Sequence, residues 1–211
     1  MPHLNRVTPF GVIVAIPERG TLMGNRGVLH DGTKAIRRTW QLKRWILCLT
    51  EFKNRKRTIM TPSQYTELFF VDEATGLAAG HRPCAECQRQ RFLEYRAAWV
   101  AGNPKLAGGT LPTAIEIDEQ LHAERVNGVG EQMRFEAALD GLPDGVIVML
   151  DGEPDAAFLV WRNELLAWSP SGYRDRRPRP TGVTVSVVTP PSTVAAIWAG
   201  YIPAMHKSVS G

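Results

Sequence analysis

Leu68-Phe-Phe-Val-Asp72-Glu-Ala-Thr-Gly-Leu-Ala-Ala-Gly80-His-Arg-Pro-Cys84-Ala-Glu-Cys87 decides how the rest of this chain is read. Asp72 is a residue type that caps helix starts, Glu73 complements the positive end of a helix, and Gly80 is the residue expected just past a last turn. His81-Arg82-Pro83 then delivers Cys84 and Cys87 at the opening of a second helix. Two thiols separated by two residues can face one ion, and Zn²⁺ takes four ligands in a tetrahedron, with sulfur at ~2.3 Å. Cys48, the third cysteine, ends the apolar run Trp45-Ile-Leu-Cys48, which reads as a strand. Cys48, Cys84 and Cys87 in one site leave the fourth ligand to a histidine.

His122 ranks first for that place, His30 second and His81 third. His122 sits in the helix-like segment Ile115–Val126, stopped by Asn127-Gly128. It also begins His122-Ala-Glu124, and a His-x-Glu beside Pro-Cys-x-x-Cys is the signature of zinc nucleobase deaminases, with the glutamate shuttling protons. Here the cysteine pair precedes the His-Ala-Glu, the reverse of that order. Plainer readings stand beside these. Cys84 and Cys87 could form a redox pair, Cys48 could be a buried apolar cysteine, and His122 could be a core histidine.

The segment from Phe69 to Cys87 resembles the N-terminal zinc-binding domain of the Ada alkylation-response proteins, in which an Ala-Ala-Gly-aromatic-Arg-Pro-Cys-x-x-Cys pattern carries two of four thiolate ligands. With looser spacing the likeness reaches back to Cys48. It implies Cys48, Cys84 and Cys87 as ligands, with Cys48 at the family's first cysteine, which also accepts a methyl group from DNA phosphotriesters. Phe52 stands where the family has its second cysteine, and His81 where it has an aromatic residue.

The net charge of +4 is spread unevenly. Lys34, Arg37, Arg38, Lys43, Arg44, Lys53, Arg55, Lys56 and Arg57 face a single acid, Glu51, within one stretch interrupted by Trp40, Trp45 and Phe52. Such a stripe can neutralise phosphates and stack bases. Arg37, Arg38, Lys43, Arg44, Lys53, Arg55, Lys56, Arg57 and Arg82 are therefore candidate nucleic-acid contacts, although charge runs are also commonly solvated faces. No apolar run is long enough for a membrane span, and three cysteines in metal-like spacing fit a reducing compartment, so a cytoplasmic location is expected.

Punctuation divides the chain. Strands are expected at 10–16 and 40–50 with a glycine-bearing loop at 20–32, and helices at about 73–79, 84–101 and 114–126, with 103–109 as a linker. From Leu142 the pattern turns to short strands, and a last helix follows at 193–199. The expected fold class is α+β: a zinc knuckle with two to three helices packed on short strands, then a small antiparallel sheet or partly open barrel. The expected division is a basic zinc-binding region at 1–128 and a β-rich region at 129–211, unless the two form one domain. The expected function is a Zn²⁺ protein that binds nucleic acid or takes part in DNA repair. The alternatives are a zinc-dependent hydrolase or deaminase using Glu124, and a zinc-stabilised interaction protein without catalysis.

Overall fold

The computed structural model describes residues 2–54 and 58–210. Among them are five α-helices and two six-stranded sheets, with about equal helix and strand content. The first sheet is mixed. It is built from β1 (Leu4–Val7), β2 (Ile13–Ala15), β3 (Leu22–Asn25), β4 (Ile46–Leu49), β5 (Leu68–Phe70) and β6 (Arg82–Pro83), in the order β2-β1-β5-β3-β4-β6. The second is antiparallel: β7 (Phe135–Ala138), β8 (Ile147–Met149), β9 (Phe158–Trp161), β10 (Glu164–Ser169), β11 (Gly172–Pro178) and β12 (Thr184–Val187), in the order β11-β10-β9-β8-β12-β7.

This overturns the expected fold class. Among the described residues no zinc knuckle with helices packed on strands is found; the cysteines hang instead from a six-stranded sheet. The second sheet, too, is larger than a small or partly open one. The physical reason lies in very short strands that pairing, and not propensity, recruits. β3 runs through the segment read as a loop, and its Gly24 is where two neighbours come close: a Cβ there would meet the Ile46 carbonyl oxygen at 2.4 Å and the Phe70 ring at 3.0 Å. β6, only two residues long, pairs parallel to β4 with Ile46 opposite Arg82 and Leu47 opposite Pro83. The stretch read as a linker also holds a short helix, α3 (Pro104–Ala107).

The better-signalled elements form where the residues place them. Asp72 caps α1 (Glu73–Ala78), its carboxylate accepting from the Thr75 N–H at 2.8 Å and the Thr75 hydroxyl at 2.7 Å, and Gly80 takes φ +81° just beyond. In α2 (Arg89–Gly102), Phe92, Tyr95 and Trp99 recur at helical spacing and are all buried. α4 (Ala114–Arg125) starts with a capping box between Thr113 and Glu116. α5 (Pro191–Trp198) runs against α2 so closely that a Cβ on Gly102 would meet the Ala195 carbonyl oxygen at 2.2 Å.

The largest apolar core lies between the helices and one face of the second sheet, joining Leu77, Tyr95, Trp99, Ile117 and Leu121 to Val148, Phe158, Val160 and Val187. Ile147, Met149 and Leu159 point to the other face, where Ala74 and Ala78 of α1 cover them. The first sheet likewise has two faces. Leu47, Leu68 and Phe70 pack on one, and Met23, Cys48 and Cys84 gather on the other.

Candidate metal centre

Alternation along β4 puts Leu47 into the core and turns Cys48 to the opposite face. The parallel β4–β6 pairing continues as the Cys84 N–H donates to the Leu47 carbonyl at 2.8 Å, which sets Cys84 beside Cys48. A turn between β6 and α2 then brings Cys87 back, and the Leu49 N–H donates to its sulfur at 3.4 Å. The three Sγ atoms lie within 4.8 Å of one another, and no other group of His, Cys, Asp or Glu among the described residues is gathered this way. Sulfurs of a tetrahedral zinc site stand about 3.8 Å apart, given bonds of ~2.3 Å. Three soft donors at this spacing fit a thiophilic ion.

The thiols are electrostatically unequal. A hydrogen bond from Cys48, helped by backbone N–H groups of Cys87 and Glu86, holds the Cys84 thiol down to about 5. The same bond to Cys84, together with burial, pushes Cys48 far above the ordinary thiol range, and burial raises Cys87. Of the three sulfurs, Cys84 is thus the one most ready to lose its proton, while its two neighbours resist doing so. A cation is the partner that would let all three lose their protons.

The site is anchored from behind. Arg82, two residues before Cys84, donates through Nε to Asp118 Oδ1 at 2.9 Å and through Nη2 to Oδ2 at 2.7 Å, and both side chains are buried. This ties β6 to α4. It also corrects the reading of Arg82 as a nucleic-acid contact, because its guanidinium is spent on Asp118 inside the protein. In front, the cysteines line a cleft of about 240 Å³ shared with Met23, Asn25, Arg44, Tyr65 and Glu86. Sequence reasoning misses Met23, although it lies directly opposite Cys48 in the β3–β4 register, because Gly20, Gly24 and Gly27 give the segment around β3 the composition of a loop.

None of the candidate histidines joins the thiols. His122 packs its ring edge-on to Trp40, 4.6 Å between centroids. His30 is buried and bonded to the Thr66 hydroxyl at 2.6 Å and the Thr61 carbonyl at 3.2 Å. His81 is fully enclosed against Phe70 and Trp45, and burial, with the charges of Arg26 and Arg125, pushes it far below its ordinary value. Glu124 accepts from the Ser192 N–H at 3.1 Å and hydroxyl at 2.7 Å at the start of α5, and it is not in the wall of the cysteine cleft.

Of the basic stripe, Arg37, Arg38, Lys43, Arg44 and Lys53 are exposed. Arg37 is paired with Asp31 at 2.6 Å and Lys43 with Glu119, whereas Arg38 and Arg44 have no ion-pair partner among the described residues. Arg55, Lys56 and Arg57 lie outside the described residues.

No known protein family matches this chain. No curated protein and no solved structure matches it either. The likeness to the Ada segment therefore extends no further than the pattern of residues, and what stands is the coarser fact that three cysteines come close enough to hold one metal ion. Among the described residues no helix is long and apolar enough to cross a membrane.

Proposed function

We propose that the chain is a zinc-thiolate protein that engages nucleic acid through the basic surface around its metal site. The observation that carries the reading is the convergence of Cys48 and the Cys84–Cys87 turn, from two separate parts of the chain, onto one cleft with exposed Arg44 in its wall. Zn²⁺ held there would join β4 to the turn before α2 and contribute ~10 kcal/mol or more of folding free energy at neutral pH. Exposed Arg38, Lys43, Arg44 and Lys53 supply positive charge on the segments that flank Cys48.

Elemental analysis and X-ray absorption on the purified protein test the metal half: one zinc per chain with three sulfurs in its shell is expected. Folded, metal-free protein with three freely titratable thiols would overturn it. Filter binding across salt concentrations tests the other half. Each phosphate neutralised adds about 0.7–0.9 to the slope of log affinity against log salt, and a flat line removes nucleic acid from the proposal.

One observation favours a second reading, a zinc-dependent hydrolase: among the described residues three potential ligands, and not four, stand together beside a cleft, which suits a catalytic site better than a closed structural one. The carboxylate at hand is then Glu86 in the cleft wall, with Glu124 capping α5. Glu86→Gln that keeps its zinc but loses hydrolysis of a nucleoside substrate would support this reading. Wild-type protein inert toward such substrates would remove it.

A further inference from the structure

A second and larger cavity, of about 610 Å³, lies on the opposite side of the first sheet. Trp45 and Arg26 line it, while their chain neighbours Ile46 and Asn25 line the cysteine cleft, and successive residues of a strand point to opposite faces. Its volume is within the range of ~300–1,000 Å³ usual for small-molecule sites. The walls are chiefly apolar, with Phe10, Ile13, Trp40 and Trp45 prominent, and the exposed Glu131 and Arg134 add one charge of each sign to the lining.

The floor is unusual because it holds two buried cations and no anion of their own. Arg26 is 1% exposed. Its Nη1 donates to the Gly11 carbonyl at 3.0 Å and its Nε to His81 Nε2 at 3.3 Å, but Nη2 is enclosed and has no partner. Arg125 is 2% exposed; it donates to the Gly80 carbonyl at 2.8 Å and to the Lys43 carbonyl, and its Nε has no partner. Both guanidiniums lie over the ring of Trp45, 4.0 and 4.1 Å from its centroid. Among the described residues neither is in an ion pair, and the nearby Asp118 is already engaged by both arms of Arg82. Burial and the repulsion of Arg125 pull Arg26 down to about 9.

A buried charge without a counter-charge is strongly destabilising. Carbonyls and an aromatic face soften that cost without cancelling the charge. The one unpaired Nη2 donor of a buried guanidinium, in the wall of an aromatic-lined pocket, is complementary to an oxyanion on a flat apolar body.

We infer that this pocket binds a small organic anion, a carboxylate or a phosphate carried on a flat apolar body, with Arg26 receiving the anion and Phe10, Trp40 and Trp45 the body. The site is separate from the metal centre and independent of the metal's identity, because the cysteines line the other cavity.

Calorimetric titration of the full chain with phenylacetate, phenyl phosphate, phenylacetamide and inorganic phosphate tests this. One or both aromatic anions bind saturably, the neutral amide and the bare phosphate bind about tenfold or more weakly, and the stronger of the two aromatic anions tells carboxylate from phosphate. Arg26→Met lowers that affinity about tenfold or more. Val12→Trp, at a 55% exposed position on the rim, blocks entry and does the same without touching the core, which keeps the test decisive should Arg26→Met fail to fold. The inference fails if neither aromatic anion saturates, if the amide binds as well as the anions, or if folded Val12→Trp binds like the wild type.

Discussion

The two sheets are equal in strand number and opposite in what fills them. In the second, β8 is buried on both faces, and Val148, Leu159 and Val160 are fully enclosed by apolar neighbours. In the first, Asn5, Asn25, Arg26, Glu67, His81 and Arg82 are interior, and three thiols share one face. Apolar burial contributes ~25 cal/mol per Å² whatever the solution holds. Charges and thiols contribute only when their partners are present. The second sheet is thus stabilised by its own composition, and the first by specific pairs and, on the reading proposed above, by an ion.

The largest expected effect comes from taking that ion away. Chelation, or Cys84→Ser, should remove most of the ~10 kcal/mol or more that bound Zn²⁺ contributes to the first sheet. Hydrogen exchange should then speed up at β4, β6 and the turn bearing Cys87, with β8 and β9 still protected. Uniform loss of protection would show that the sheets do not differ as described. Next is Asp118→Ala, which strands the buried Arg82 guanidinium and should cost about 3–5 kcal/mol in chemical denaturation. Because Arg82 leads into Cys84, zinc affinity should fall with it. Leu159→Ala is the matching change in the second sheet, expected to cost about 2–5 kcal/mol while metal content stays constant.

The same contrast explains what the sequence made legible. β8, β9, β10 and β12 were readable because apolar runs of β-branched and aromatic residues between turn signals describe a sheet closed by its own side chains. α1, α2 and α4 were readable from their caps and helical spacing. β1, β3 and β6 carry Asn, Arg, Gly or Pro where β8 and β9 carry unbroken apolar runs, so their existence depends on neighbours distant in sequence. The thiol pair showed itself by its local spacing. The Arg82–Asp118 anchor and the Arg26 pocket did not, since each is made by contacts across thirty or more residues that no local period encodes.

The smallest effect tests the element that both sheets share. α1 lends Ala74 and Ala78 to the second sheet's core, Leu77 to the large helical core, and the following Ala79 to the first sheet's. Trp168 of β10 donates to the Thr75 hydroxyl at 3.0 Å, so the junction includes a polar contact as well. Asp72 holds the start of this helix and also accepts from the His206 N–H at 2.9 Å. Asp72→Ala should cost about 1–2 kcal/mol, and Asp72→Asn, which keeps a capping oxygen, clearly less. If α1 couples the sheets, the alanine variant should weaken zinc retention and speed exchange in β8 together. A change confined to one sheet would show instead that each rests on its own contacts, with α1 merely lying between them.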